Sequence, residues 1–276
     1  MADTEHLAIV QLGPGDALAG LALSAHANWN QNEADWRFFL SHATVLGVRD
    51  RDSRLIGTAA LLPYTSGNAW ISMVLVTANW RRRGLATRLV DACLDTATRQ
   101  NLTTWLDATP EGANVYGPLG FTPTLQLRRL RRESSMQAAA SPALSTCSLE
   151  ELIARDNGAM GFDRSALLTE LAGRPGSRLL SNVDNTVALV RDGRKARHIG
   201  PLFASSPDQA LAIVEAIARS ETGPLLIDAV SGQHDFLKGL TGSGWIIERP
   251  FQRMRFGRAN VQGKEMSFAV AGPEYG

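Results

Sequence analysis

The chain has 276 residues, 44% hydrophobic and 20% charged, with a net charge of +1. That is enough for two ordinary domains with sizeable cores, and the near-neutral balance argues against a dedicated nucleic-acid binder. Cys93 and Cys147 sit in no Cys-x-x-Cys or Cys/His cluster, so neither a metal site nor a disulfide framework is expected and a cytoplasmic protein is the default. The acidic start Met1-Ala2-Asp3-Thr4-Glu5 has no apolar signal core, and no run of roughly 18 apolar residues offers a membrane span.

In chain order, residues 14–26 and 32–41 are predicted helices, with Trp29-Asn30-Gln31-Asn32 a turn between them. Strands follow at 45–49 and 55–62, joined by Asp50-Arg51-Asp52-Ser53. Residues 69–76 are almost continuously apolar, which predicts a central strand. In helix 84–99 the apolar positions Leu85, Leu89, Cys93 and Ala97 recur every four residues and should pack on the sheet. Strand 103–108 ends at Pro110-Glu111-Gly112 and leads to a short helix at 112–119 and a strand near 122–131. Along that last strand Arg128, Arg129, Arg131 and Arg132 alternate and read as a solvated edge.

Residues 134–146 lack periodicity and are predicted as a linker between a domain at 1–133 and a second at 147–276. The second domain should hold helices at 149–156 and 163–172, the latter capped by Asp163 and stopped by Gly173. A hairpin is marked by Asp192-Gly193. Strand 198–203 precedes helix 207–219, which opens on the capping box Ser206-Pro207-Asp208-Gln209. Strands are predicted at 225–230 and 251–256, and His198 and His234 read as ordinary polar positions.

The two halves look related. Leu106-Asp107-Ala108 has a counterpart in Ile227-Asp228-Ala229, and Gly120-Phe121 in Gly244-Trp245. Arg129 follows Gly120 at the same spacing as Arg253 follows Gly244, since 129 − 120 equals 253 − 244. A degenerate duplication accounts for these matches.

The most informative stretch is Asn79-Trp80-Arg81-Arg82-Arg83-Gly84-Leu85-Ala86-Thr87, a basic loop between a strand and a helix. Amides at a helix start are unpaired and the dipole is positive there. Small residues let an anion approach, and arginines add charged hydrogen bonds. The loop is therefore a cradle for two linked phosphates.

Arg81-x-x-Gly84-x-Ala86 after such a strand resembles the acetyl-CoA loop of GNAT superfamily N-acetyltransferases. Ala113-Asn114-Val115-Tyr116-Gly117-Pro118-Leu119-Gly120-Phe121 resembles their second signature, a Tyr four residues before Gly-Phe. The resemblance covers about residues 5–132, and a looser one, through Gly161-Phe162-Asp163-Arg164, Ile199-Gly200-Pro201 and Arg253-Met254, extends to a tandem, two-domain subgroup. It implies an α/β fold of two GNAT-like domains, each a mixed, mostly antiparallel sheet flanked by helices, with acetyl-CoA as cosubstrate. The pyrophosphate would rest on Arg82, Arg83, Gly84, Leu85, Ala86 and Thr87 with help from Arg81. The pantetheine arm would pair along Val74, Leu75 and Val76, where strands 71–76 and 103–108 splay. Tyr116 would protonate the departing thiolate, and the Val74 amide would polarise the thioester carbonyl. Asn114 is either a cap or a cofactor contact. Trp29, Asn30, Asp35 and Trp36 lie where the family places substrate-side helices.

The general base is not evident; Asp107, Glu33, Asp35 and His26 are the candidates. The second domain has Leu240 at the position of Tyr116 and no Arg-x-x-Gly-x-Ala between strand 198–203 and helix 207–219. It should not bind acetyl-CoA productively, and would instead close over the first domain's cleft or form a dimer surface, in a monomer or homodimer. The leading expectation is direct acetyl transfer to a small-molecule amine. An acyl-CoA-binding sensor without turnover, or a transferase of longer acyl groups, would carry the same cofactor motif.

Overall fold

The computed structural model describes residues 7–134, 144–182, 185–258 and 267–276; the predicted linker thus lies largely outside the described residues. The first half runs β1 (Ile9–Gln11), α1 (Ala17–His26), α2 (Glu33–His42), β2 (Thr44–Arg49), β3 (Leu55–Tyr64), β4 (Asn68–Val76), α3 (Leu85–Arg99), β5 (Thr103–Ala108), α4 (Pro110–Tyr116) and β6 (Thr122–Ser134). The second runs α5 (Leu149–Met160), α6 (Ser165–Gly173), β7 (Arg178–Ser181), β8 (Val187–Arg191), β9 (Arg197–Phe203), α7 (Pro207–Ser220), β10 (Gly223–Val230), α8 (His234–Gly242) and β11 (Ile246–Phe256). Both halves repeat one order of helices and strands.

Local chemistry accounts for the helix ends that matter. Asn32 Oδ1 accepts from Asp35 N at 3.1 Å while Asp35 Oδ2 accepts from Asn32 N at 2.8 Å, a reciprocal cap that starts α2. Ser206 Oγ accepts from Gln209 N at 3.3 Å and Pro207 opens α7, as predicted. Leu85, Leu89, Cys93 and Ala97 are all buried, so the four-residue period of α3 is the face on the sheet. Strands β1 and β7 and helix α8 are additions to the predicted elements. α8 carries Gly239 because a Cβ there would lie 2.2 Å from Leu211 Cδ1 of α7; the glycine marks close helix packing, not a break.

All described strands join one eleven-stranded sheet in the order β1-β2-β3-β4-β5-β11-β6-β10-β9-β8-β7. Two neighbour pairs are parallel, β4 with β5 and β9 with β10, and they occupy equivalent places in the two halves. The last strand of each half has crossed to the other: β11 pairs with β5, and β6 pairs with β10. β6 and β11 are antiparallel neighbours at the centre. Residues 128–132 therefore lie in a central strand, not at a solvated edge.

The exchange explains the repeated Asp and Arg. Arg253 on β11 donates to both oxygens of Asp107 on β5, at 2.9 and 2.8 Å. Arg129 on β6 does the same to Asp228 on β10, at 2.8 and 2.7 Å. The aspartates are fully buried and each arginine is nearly so. His198, also buried, adds Nε2 at 2.9 Å from Asp228 Oδ2, so it is part of a buried network. Helices α1, α2, α5 and α6 share one core with Trp36, Phe39, Trp70 and Tyr275 on one face of the sheet. On the other, α3 and α4 cover the first half's strands, and α7 and α8 cover the second's.

Candidate functional site

β4 and β5 stay paired only from Asn68–Trp70 to Thr103–Trp105. Beyond that point β4 carries a bulge: pairing with β3 jumps from Thr58↔Leu75 to Ala60↔Ser72, and Met73 takes φ +52°. Thr58 Oγ1 donates to Met73 O at 2.8 Å and fixes the bulge. The strands then diverge around a cleft of about 100 Å³ whose walls include Ile71–Val74 and Leu106–Ala108. A diverging pair leaves backbone amides and carbonyls that need partners, which suits an extended amide chain.

The basic loop follows β4. Arg81 Nε donates to Val76 O at 3.0 Å, folding the side chain back on the strand end. Arg82 and Gly84 both adopt positive φ, +58° and +77°, a backbone that turns successive amides toward one point. Arg88 N is bonded back to Gly84 O at 3.0 Å, so the amides of Leu85, Ala86 and Thr87 precede every available helix carbonyl. A Cβ at Gly84 would meet no atom within 4 Å, so the space over the helix start is open. Arg83 stacks on Trp80 with its guanidinium 5.0 Å from the ring centre. A second groove, of about 300 Å³, runs from this loop along Leu75 and Val76 beneath Leu23 and His26 of α1. The chemistry of these donors fits a pyrophosphate.

Tyr116 ends α4 and forms part of the cleft wall. Thr109 caps that helix, its Oγ1 accepting from Gly112 N at 3.2 Å. Gly112 makes room for the ring, because a Cβ there would stand 3.0 Å from Tyr116 Cε2. Burial pushes the phenol up to about 12, so it holds its proton at any working pH. Burial pushes the Cys93 thiol of the same core up to about 12 as well.

The predicted residues divide into four groups, the last outside both cavities. Val74, Tyr116 and Trp29 meet at the cleft; Leu75, Val76 and Arg81 line the second groove; Arg82 to Thr87 form the turn and helix start. Asn114 is exposed on α4 and lines neither cavity. Asn30, Asp35 and Trp36 lie outside both. Asn30 docks the halves, its Oδ1 accepting from Lys195 N at 2.9 Å and Ala196 N at 3.0 Å. Asp35 is buried, capping α2 and accepting from Arg174 Nη1 at 2.5 Å and Tyr275 Oη at 2.7 Å. Burial pushes its carboxyl up, but Arg191 and Arg174 outweigh this and hold it below the usual range. Trp36 is core, with Nε1 donating to Ser24 Oγ at 2.9 Å.

Several cleft residues come from the second half or from unpatterned positions: Gln31, Ser72, Arg249, Phe251, Pro273 and Glu274. Asp107 also lines it. Burial pushes its carboxyl above the usual range despite Arg253.

The equivalent splay in the second half is filled by the chain itself. β9 and β10 pair through Arg197–Ile199 and Leu225–Ile227 and then diverge. Phe268–Val270 runs between them: Phe268 N donates to Leu202 O at 2.9 Å, Leu202 N to Ala269 O at 3.0 Å, Val230 N to Phe268 O at 2.9 Å and Val270 N to Asp228 O at 3.1 Å. Leu240 is buried where a phenol would be needed. Asp208 puts a negative charge in the first turn of α7, which opposes an anion there.

Residues 18–121 match the sequence model of the acetyltransferase (GNAT) family, and residues 152–268 match that of an acetyltransferase (GNAT) domain. The chain is 26% identical over 228 residues to the uncharacterized N-acetyltransferase YitH of Bacillus subtilis, spanning 76% of this chain and 78% of that protein. Among solved structures, a candidate acetyltransferase from Pyrococcus horikoshii superposes with a TM-score of 0.81 at 21% identity, over 98% of this chain and 96% of the other. A tandem GNAT protein from the clavulanic acid biosynthesis pathway superposes with a TM-score of 0.65 at 15% identity, over 92% and 100%.

Proposed function

The chain belongs to the GNAT acetyltransferase superfamily as a member with two such domains in tandem, and from that membership we propose that it transfers acetyl from acetyl-CoA to a small-molecule amine at a single site in its N-terminal half, residues 1–133. The observation that carries this is the contrast between the splays. One is an open cleft with a phenol in its wall and an anion cradle beyond it; the other is occupied by Phe268–Val270. The second half, residues 147–276, serves the site by walling its acceptor side.

Acetyl-CoA, when bound, supplies the acetyl group as a thioester. The amides at the start of α3 and the turn Arg82–Gly84 hold the pyrophosphate, and β4 beyond its bulge holds the amide arm. The Val74 amide polarises the carbonyl. Tyr116 keeps a proton ready beside the sulfur. The amine must be neutral when it attacks. Asp107, pushed toward neutrality by burial, is the cleft carboxylate suited to take its proton, although Arg253 already binds both of its oxygens.

Calorimetry with acetyl-CoA and a free-thiol assay with an amine panel test this together. One cofactor should bind per chain, and Tyr116→Phe should lower kcat about 10²-fold or more with little change in cofactor affinity. Two cofactors per chain, or a kcat unchanged in Tyr116→Phe across pH, would overturn the assignment. Cofactor binding without turnover of any amine would favour the acyl-CoA sensor.

A further inference from the structure

The acceptor side of the cleft carries one cationic side chain with no ion-pair partner among the described residues. Arg249, Phe251 and Arg253 alternate along β11 and share a face of the sheet. Arg253 lies on the face of the four-helix core, its guanidinium 4.6 Å from the Trp70 ring centre. Met254 and Tyr116 pack on the other face, under α3. Arg249 thus enters the cleft from the face opposite the anion cradle, where the cofactor's phosphates do not reach.

The other charges around the cleft are neutralised. Asp107 is paired with Arg253, Arg129 with Asp228, and Glu274 with Arg191 Nη2 at 3.0 Å. The Arg249 side chain makes no hydrogen bond or ion pair among the described residues, and its Nε is buried without a partner there. Its guanidinium lies 5.3 Å from the Phe251 ring centre, and that of Arg129 lies 5.2 Å from the same centre. Burial and the neighbouring Arg129 charge push Arg249 below the usual arginine value. A half-buried cation beside another is costly unless an anion joins it. Two further polar atoms in the cleft wall have no partner among the described residues, Gln31 Oε1 and Ser72 Oγ, in residues 5% and 7% exposed. Both can accept N–H hydrogens.

We infer that the acceptor is an amino-acid-like molecule, whose carboxylate binds Arg249 and whose amine is met by Gln31 and Ser72. A guanidinium lying on an aromatic ring presents its N–H fork in its own plane, which matches the two oxygens of a carboxylate. Cleft size favours a small acceptor. This specificity rests on the acetyl-transfer reading of the same cleft, while the carboxylate subsite itself is measurable without turnover.

Primary amines should be compared in pairs, each amino acid against its carboxamide, in the wild type and in Arg249→Gln and Arg249→Lys. In the wild type, kcat/KM should favour the carboxylate member at least about 10-fold. Arg249→Gln should lower kcat/KM for the carboxylates about 100-fold and leave the carboxamides and acetyl-CoA affinity nearly unchanged. Arg249→Lys should recover part of the loss. Equal loss for both members of each pair, or a wild-type preference for carboxamides, would overturn the inference while leaving acetyl transfer intact. If no amine turns over, thermal shift with the amino acids alone decides. Stabilisation lost in Arg249→Gln supports the subsite as acetyl transfer fails, and no stabilisation refutes it.

Discussion

Asp228→Ala should be among the most damaging single changes in the molecule, and its cost can be worked from the pair it breaks. Asp228 accepts from Arg129 Nε and Nη2 at 2.8 and 2.7 Å, with His198 Nε2 at 2.9 Å from its Oδ2. Its side chain is fully buried, and that of Arg129 is 5% exposed. Removing the carboxylate strands a buried guanidinium, which costs about 3–5 kcal/mol. For a chain of this size that is a fall in Tm of roughly 6–20 °C. Arg129→Met in the same background removes the stranded charge while keeping an unbranched stem, so the double variant should recover most of the loss. Urea unfolding followed by circular dichroism measures both. Because β6 and β11 are exchanged between the halves, wild type should lose both halves in one transition. A cost below about 1 kcal/mol for Asp228→Ala, or a double variant no more stable than the single, would show that the crossed pair does not hold the sheet together.

Acid should destabilise the protein through the same network. Burial pushes the Asp228 carboxyl up, but Arg129 and His198 outweigh this and hold it well below the usual range. A carboxylate depressed in the folded state contributes fully above its unfolded value of about 4, and loses that contribution as pH falls through the folded value. Burial also holds His198 below its usual value, so its share starts to fade below about pH 6.5. Asp107 has the opposite sign: raised by burial, it contributes most in acid and loses this as pH rises through its folded value. The Tm of wild type should therefore drop from pH 7 to 3 more steeply than that of Asp228→Asn; parallel curves would contradict the assignment. Gly84→Val should weaken acetyl-CoA binding at least about 10-fold, because a β-branched residue resists φ +77° at the helix start; an unchanged dissociation constant in calorimetry would remove the cradle from the cofactor site.

The cradle and the phenol proposed to serve the cofactor were legible in the sequence because their chemistry is local. A strand, a loop with Gly84 and a helix start are consecutive, and Tyr116 is fixed by its own short helix. The wall opposite was not, because Arg249 and Phe251 arrive on an exchanged strand and Pro273 and Glu274 on the C-terminal segment, neither of which any spacing encodes. The repeat of Asp107 and Arg129 in Asp228 and Arg253 was visible, yet it predicts equivalence and not crossing. Arg129 shows the difference. Alternating arginines normally mark a wet strand edge, and only the placement of β6 between β11 and β10 buries this one. Asn30 lies between Trp29 and Gln31, which line the cleft, yet turns away to dock Lys195 and Ala196, and Asp35 is buried against Arg174 and Tyr275.

The exchange also bears on what the second half adds to the proposed site. If each half held its own last strand, β6 would take the place of β11 beside β5, and Arg249 would not reach the cleft on that strand. With β11 beside β5, the arginine that neutralises Asp107 and the unpaired Arg249 both arrive on one strand. The segment that fills the second splay continues directly into Pro273 and Glu274, which line the first. Pro273 O accepts from Trp70 Nε1 at 3.1 Å, fixing that wall to β4 beside the cleft. Filling one splay and walling the other are thus done by a single run of chain. A mutation that reopened the second groove should therefore release the wall that Pro273 and Glu274 give the first.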